Sequence, residues 1–160
     1  KAVTLAHDNK INYLVAVGGG SVIDGTKFIA HAIPYTGEDA WELAIHPEKI
    51  TKTTPLATVL TLPATGSEMN YRGVLSRRRT QEKVSVITPK SSPQFSILDP
   101  EVTYTLPKKQ LSNGIVDAFM HIMEQYMTTT GNGILMDRWA EGVLLSLIEI
   151  GPRVLENQKD

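Results

Sequence analysis

Two residues of the chain have the side chains and the spacing of metal ligands, namely Asp117 and His121. Positions i and i+4 of a helix lie on one face, so this carboxylate and this imidazole can meet one cation. Such a pair suits iron, zinc or manganese, although two ligands make only half of a site. The alternative is an ordinary hydrogen bond between the two side chains. The apolar residues on either side of Asp117 favour the metal, because they predict a carboxylate that faces the interior and needs a cation or donors there.

A run of three glycines, residues 18–20, lies between a predicted strand and a predicted helix and is followed by Ser21. Glycine lets backbone N–H groups approach a phosphate, and a helix start adds unpaired N–H groups and the positive end of its dipole. The run therefore predicts a pyrophosphate site, with a plain strand-to-helix turn as the alternative. It is not the Gly-x-Gly-x-x-Gly fingerprint. A Walker A loop is excluded because Thr26 occupies the lysine position of that motif and Lys27 comes one residue late.

A second candidate loop, residues 61–68, reads Thr-Leu-Pro-Ala-Thr-Gly-Ser-Glu and follows another predicted strand. In open α/β sheets, ligands bind beyond the carboxyl ends of the strands. Thr61 and Thr65 would offer hydroxyl groups at that edge. The loop can equally be a turn in which Thr65 or Ser67 caps a helix, and the residues alone do not decide between the two.

The elements that must position these residues follow from hydrophobic patterning. Short apolar runs predict strands at residues 13–17, 56–62, 84–87 and 95–98. Residues 21–32 predict a helix with Val22, Ile23, Thr26, Ile29 and Ala30 on one side. Alternation of strands and helix predicts an α/β fold with a partial, Rossmann-like parallel sheet.

After Pro107 the apolar residues recur at helical spacing, which predicts the start of an all-helical domain. Gly131-Asn132-Gly133 is expected to separate two helices, and Gly151-Pro152 to end the second. The predicted organisation is therefore an α/β part at residues 1–105 and a helical part at residues 106–160.

Composition excludes several classes of function. The net charge of −1 over 160 residues predicts no nucleic-acid partner, and arginines 77–79 are expected in a solvated loop. The absence of cysteine excludes disulfides and thiolate chemistry and agrees with a cytoplasmic location. The longest apolar stretch, residues 143–150, is too short and too interrupted to predict a membrane span. His7, His31 and His46 lack metal-ligand spacing and are expected to be structural or exposed.

Taken together, these motifs resemble the iron-containing alcohol dehydrogenase family, in particular its NADPH-dependent aldehyde reductase and butanol dehydrogenase branch. The blocks that carry the resemblance occur in family order and at family-like spacing, and they are residues 16–27, 61–68, 97–100 and 113–126. The resemblance implies an oxidoreductase that interconverts small-molecule alcohols and aldehydes, with NADP or NAD and a divalent metal, iron or zinc. It also implies a dinucleotide-binding domain at residues 1–105, the first helices of a metal-binding domain at residues 106–160, and a homo-oligomer at full length.

The resemblance further implies roles for single residues. Gly19, Gly20 and Ser21 would hold the cofactor pyrophosphate and Asp24 would lie near the nicotinamide ribose. The remaining implied cofactor contacts are Thr61, Thr65 and Lys83. Asp117 and His121 would be the first two of four metal ligands, and no further catalytic side chain is implied.

No histidine follows His121, and the chain has no initiator Met. We therefore expect an internal piece of a longer enzyme, inactive by itself. One alternative is a truncated, non-catalytic nucleotide- or metal-binding piece. Another is a glycerol-dehydrogenase-like or dehydroquinate-synthase-like relative, although residues 97–100 and 113–121 favour the alcohol dehydrogenases. Tyr71 and Arg72 stand where the family resemblance leads us to expect small residues.

Overall fold

The described residues, 1–128 and 133–159, fold into two units in the computed structural model of the chain. Lys1–Asp99 contains the strands, and Pro100–Asp160 contains two long helices. The predicted fold class, an α/β part with a parallel sheet followed by helices, is confirmed. What each of the two units binds stays a prediction.

The framework of the first unit is a parallel sheet of three strands. They lie in the order β1 (Leu14–Gly18), β2 (Leu56–Leu60) and β5 (Ser96–Ile97). The first two pair along their whole length and end with Gly18 opposite Leu60. Their carboxyl ends therefore meet at one edge of the sheet, where the two candidate loops begin.

One face of this sheet is covered by helix α2 (Gly20–Ala32). Ile23 of the helix packs on Ala16 of β1 and Leu60 of β2, and all three are buried. The other face of β1 is exposed, since Val15 is 58% and Val17 is 61% accessible. Within the described residues, β1 is therefore covered on only one face.

The expected strand at residues 84–87 exists as β4 (Glu82–Ile87), but its expected place in the parallel sheet is wrong. It pairs antiparallel with β3 (Arg72–Arg77), and the two form a separate hairpin sheet. Val86 packs in a core of its own with Leu43, Ala44 and Ile50. The hairpin was not predicted because the inward-facing positions of β3 include a glycine and an arginine instead of regular apolar residues.

Short helices and turns complete the first unit and lead into the second. They are the helices α1 (Ala2–Asp8) and α3 (Glu42–Ile45), and the 3₁₀ turns Pro47–Lys49, Pro89–Ser91 and Pro100–Thr103.

The second unit contains helices α4 (Lys108–Tyr126) and α5 (Ile134–Glu156). Gly151 of α5 is buried against Ile115 of α4, and a Cβ there would lie 3.1 Å from Ile115 Cγ2. The expectation that Gly151-Pro152 ends the helix is wrong, because Pro152 lies inside α5. The glycine allows close helix packing instead of terminating the helix.

Of the expected separator between these helices, Gly133 precedes α5, and its carbonyl accepts the Asp137 N–H at 2.8 Å. Gly131 and Asn132 lie outside the described residues. Across the part of the chain that the structure describes, no helix combines the length and the apolar character needed to cross a membrane.

Replacing Gly18 by alanine should destabilise the protein by roughly 1–3 kcal/mol, the usual cost of overpacking. The new Cβ would lie 2.7 Å from Val22 Cβ, at the junction of β1 and α2. The matched control is Gly25→Ala in α2, where nothing lies within 4 Å of the new Cβ. That change should stabilise the helix by up to about 1 kcal/mol. Urea denaturation measures both, and equal stabilities for Gly18→Ala and the parent chain would contradict the close packing.

Candidate functional site

The glycine run links β1 to α2 through a single residue. Gly18 ends the strand, Gly20 begins the helix, and only Gly19 lies between them. The Gly19 carbonyl accepts the Val22 N–H at 3.0 Å and the Ile23 N–H at 3.1 Å, and no side chain caps the helix within the described residues. The N–H groups that precede Val22 therefore lie at an open helix end, which favours an anion.

The second loop lies directly beside this helix end. The Thr61 N–H donates to the Gly18 carbonyl at 3.1 Å, so the chain leaving β2 is tied to the end of β1. A Cβ at Gly20 would lie 3.0 Å from Thr65 Oγ1, and Thr65 Oγ1 lies 2.8 Å from Ser67 Oγ. The structure therefore brings Thr65 against the glycine run, with Thr61 joined to it by the backbone.

The glycines of the run are needed for space and not for an unusual backbone. Among the described glycines only Gly66, in the second loop, has a positive φ, at 68°. Gly18 faces Val22 and Gly20 faces Thr65 at distances that leave little room for a side chain. Close approach of the backbone is what a phosphate cradle requires, and it is also what packs the two loops together.

Asp24 was expected near the cofactor ribose, and the structure gives its carboxylate a partner inside the protein. The residue is 9% exposed, and its Oδ2 accepts the Val74 N–H of β3 at 2.8 Å. Its Oδ1 is buried and has no hydrogen-bond partner among the described residues. One oxygen therefore anchors the hairpin, and the predicted ribose contact stays a prediction.

Lys27 is a buried cation that the sequence reasoning missed as a site residue. It is 2% exposed, and its ammonium donates to the carbonyl and the side-chain oxygen of Asn70 and to the carbonyl of Arg72. Burial lowers the pKa of Lys27 to about 8, against the opposing effect of the Asp24 and Glu68 carboxylates. The signal was the helical spacing of Asp24, Lys27 and His31, which places three polar residues on one face.

The buried face of α2 includes Ile23 and Ala30 from the predicted apolar side, and it also includes these three polar residues. Its buried residues are Ile23, Asp24, Lys27, Ala30, His31 and Ala32, whereas Val22 is 47% exposed. The prediction was wrong about Val22 because it assigned the apolar residues to the core and left the polar ones outside. Here the polar side chains are buried with partners on the hairpin and on the segments that precede and follow it.

His31 is structural, as expected. Its Nε2 lies 2.8 Å from Ser91 Oγ, and the residue is 2% exposed. Burial, with a smaller contribution from the positive charges of Lys27 and Lys90, lowers the pKa of His31 to about 4. The ring is therefore neutral at neutral pH.

Lys83, the remaining implied cofactor contact, lies on β4 opposite Ser76. Its side chain is exposed, whereas Lys27 is buried beneath the same hairpin. The prediction that Lys83 reaches a cofactor stays a prediction.

Asp117 and His121 lie on one face of α4, as their spacing requires. Asp117 Oδ2 and His121 Nδ1 are 3.7 Å apart, which is too far for a hydrogen bond. Two ligands about 2.1 Å from a tetrahedral metal would be about 3.4 Å apart, so the pair fits two positions around one ion. Within the described residues, no group of three or more His, Cys, Asp or Glu side chains could hold a metal.

The expectation that Asp117 faces the interior is wrong within the helical unit. Its side chain is 47% exposed and that of His121 is 43% exposed. The reason is that α4 packs on α5 through Ile115, and not through the face that carries the pair. Glu124, further along α4, is exposed.

Known proteins resemble this chain over nearly all of its length. Residues 1–100 match the family model for iron-containing alcohol dehydrogenase. The chain is 48% identical to the NADPH-dependent aldehyde reductase YqhD of Escherichia coli (strain K12), over 99% of this chain and 42% of that protein. It is 44% identical to the probable NADH-dependent butanol dehydrogenase 2 of Bacillus subtilis (strain 168), over 98% of this chain and 40% of that protein.

A solved structure shares the fold as well. A crystal structure of E. coli K-12 YqhD superposes with a TM-score of 0.91 at 47% identity, over 99% of this chain and 41% of that one. The chain thus spans about two fifths of the length of these relatives.

Lowering the pH from 6.5 to 4 should destabilise the folded chain through His31. In this range the unfolded chain binds a proton on His31 that the folded chain does not, so the free energy of unfolding falls as the pH falls. The contribution is at most about 3 kcal/mol, is fully present above pH 6.5 and is lost as the pH falls through about 4.

Urea denaturation at pH 7 and pH 5 measures this loss. His31→Gln should reduce the difference between the two pH values. The control is His46→Gln, because His46 is exposed, and it should retain the parental difference. A His31→Gln protein with the full parental pH dependence would show that another group is responsible.

Proposed function

The chain belongs to the iron-containing alcohol dehydrogenase family, and on that premise we propose that it is part of an oxidoreductase that interconverts alcohols and aldehydes. The relatives described above are an NADPH-dependent and a probable NADH-dependent enzyme, which supports a nicotinamide nucleotide as cofactor. In this proposal residues 1–105 supply part of the nucleotide site and residues 106–160 supply two metal ligands. The substrate is a small alcohol or aldehyde.

The observation that carries the proposal is the open start of α2 with the second loop beside it. The backbone N–H groups of Gly19, Gly20 and Ser21 bind the pyrophosphate, and the absence of side chains at the glycines lets the phosphates approach. Thr61 and Thr65 add hydroxyl groups from the neighbouring strand end. This support is a matter of position, since a Cβ at Gly20 would lie only 3.0 Å from Thr65 Oγ1.

Two charged residues complete the proposed nucleotide site. The exposed ammonium of Lys83 supplies a positive charge to the cofactor from the hairpin. Asp24 has one carboxylate oxygen bound to the Val74 N–H and a second that has no partner among the described residues. We propose that this residue lies near the nicotinamide ribose.

Asp117 and His121 are the residues that would hold a divalent metal, iron or zinc. Their separation fits two ligands of one ion, and their partial exposure leaves both side chains free to accept it. When bound, the nicotinamide supplies or accepts the hydride and the metal supplies Lewis acidity toward the substrate oxygen. The chain's own residues bind and orient these groups.

The runner-up proposal is that the 160-residue chain by itself is a non-catalytic nucleotide-binding piece. It is favoured by the finding that, among the described residues, no group of three or more His, Cys, Asp or Glu side chains could hold a metal. The two proposals are compatible if the catalytic protein is longer than this chain. A glycerol-dehydrogenase-like relative is less well supported, because the relatives described above are an aldehyde reductase and a probable butanol dehydrogenase.

In the complete gene product that contains this chain, Gly20→Val should weaken binding of NADPH or NADH by roughly tenfold or more. The valine would occupy phosphate space and would also press on Thr65, which a Cβ at this position already approaches to 3.0 Å. Titration calorimetry measures the affinity. Gly25→Ala, on the same helix in open space, serves as the control and should bind as the parent does. Unchanged affinity in Gly20→Val would count against the pyrophosphate assignment.

Asp117→Ala and His121→Ala should each abolish alcohol or aldehyde turnover in the complete gene product while sparing nucleotide binding. Losing one ligand of a small set removes most of the metal affinity. Metal analysis and an assay of NADPH or NADH oxidation measure the two effects, with Lys109→Ala in the exposed first turn of α4 as the control. The isolated chain should hold little metal and reduce no aldehyde. Normal activity in His121→Ala would rule out the metal assignment.

A further inference from the structure

Lys27 lies two helical turns beyond Gly20, on the same rigid helix whose start forms the proposed phosphate site. Its side chain points away from solvent and is 2% exposed. The ammonium is therefore not accessible to a nucleotide that is bound at the start of the helix. A buried cation is costly unless it is hydrogen-bonded, and this one has three acceptors within 3.0 Å.

All three acceptors belong to one short segment, residues 70–72. The ammonium donates to the Asn70 carbonyl at 2.9 Å, to Asn70 Oδ1 at 3.0 Å and to the Arg72 carbonyl at 2.6 Å. Asn70 Oδ1 also accepts the Arg72 N–H at 2.9 Å, so the segment is closed on itself around the cation. Lys27 thus holds the backbone between the second loop and β3 at one place on α2.

The same segment is joined to the loop that carries Thr65. Asn70 Nδ2 donates to the Thr65 carbonyl in a long hydrogen bond of 3.4 Å, and the Met69 N–H donates to the Gly66 carbonyl at 3.0 Å. Thr65 in turn lies against Gly20, with its Oγ1 3.0 Å from the Cβ position of that glycine. The contacts therefore run from Lys27 through Asn70 to Thr65 and return to the start of the helix that carries Lys27.

We propose that Lys27 is a positioning residue of the nucleotide site, which holds Thr65 in register with the backbone N–H groups at the start of α2. This inference rests on the proposed function, because it assigns a role within that site. The N–H groups at the start of α2 and Thr65 of the second loop are thereby both held in position by one helix. Lys27 acts through Asn70 and the second loop and does not touch the cofactor.

A lysine with a purely structural role would affect the stability of the protein but not its affinity for the nucleotide. Asp24 and His31 lie on the same buried face of α2, but their partners are Val74 and Ser91, which are not in the segment 70–72. Loss of the His31 contact should lower stability without moving the second loop. Loss of the Lys27 contact should lower stability and also release the second loop from the helix, so nucleotide affinity separates the two cases.

The test titrates the complete gene product with NADPH and with NADH, followed by nicotinamide fluorescence, and repeats this for four single variants and one double variant. Lys27→Met should raise the Kd and the KM for the nucleotide about tenfold or more, with kcat at saturating nucleotide within about threefold of the parent. Lys27→Arg retains a cation with several donors and should recover most of the affinity. His31→Gln is the stability control and should bind nucleotide as the parent does.

Asn70→Ala removes one acceptor and the contact with Thr65 without burying an unpaired cation, since two carbonyl acceptors remain. It should weaken nucleotide binding in the same direction, and adding it to Lys27→Met should produce little further loss, because both changes break one connection. If Lys27→Met does not fold, Asn70→Ala decides the question by the same criterion.

An unchanged Kd in Lys27→Met, or in Asn70→Ala where the first variant does not fold, would overturn the positioning role and leave the proposed function standing. A loss of kcat with unchanged Kd would overturn it as well, because it would indicate a role in the chemical step. A parent protein that binds neither nucleotide would overturn the proposed function and this inference together.

Discussion

The close approach of β1 and α2 at Gly18 is the constraint on which the first unit depends. No side chain fits there, because Val22 of the first helical turn occupies the space. The helix therefore starts immediately beyond the sheet edge and carries its unpaired N–H groups with it. The chain leaving β2 meets the same point through the Thr61 N–H and the Gly18 carbonyl. The same residues thus allow β1 and α2 to pack closely and leave N–H groups at the helix start open to a ligand.

The buried face of α2 shows how charge can fix geometry. Desolvating an ammonium costs several kcal/mol, and well-aligned acceptors are needed to offset that cost. Lys27 has such acceptors at residues 70–72, and Asp24 accepts the Val74 N–H two residues further along β3. These contacts fix the register of β3 relative to α2, because a slip of one residue would turn the backbone groups of β3 away from both charged side chains. An apolar contact would tolerate such a slip more easily.

Much of this architecture follows from sequence patterns. The apolar run before the glycines predicts β1, the following residues predict α2, and the spacing after Pro107 predicts both long helices. The hairpin does not follow, since the inward positions of β3 are Gly73, Leu75 and Arg77. Gly73 is inward because the Asp24 carboxylate lies 3.6 Å from its Cβ position, and Arg77 because it pairs with Asp39 and stacks on Trp41. These are tertiary reasons that no local pattern expresses.

The candidate site shows the same division. The glycine run, the second loop and the pair on α4 could be proposed from residue types and spacing, because their chemistry is local. Lys27 could not, because its role depends on acceptors more than 40 residues away in the chain. The arginines at 77–79 were expected in a solvated loop. Arg78 and Arg79 are exposed in the turn after β3, whereas Arg77 belongs to β3 and pairs with Asp39 at 2.6 Å. In both cases the environment of the side chain is set by a partner that is distant in the sequence.

Two of the three acceptors of Lys27 are backbone carbonyls, at Asn70 and Arg72, and every amino acid carries that group. The side chain of Tyr71 between them is 44% exposed and takes no part in the anchor. Point mutations at positions 71 and 72 can therefore change the surface beside the second loop at little energetic cost. Natural variation is free to alter the size and charge of this surface in a lineage while the helix continues to hold the backbone in place.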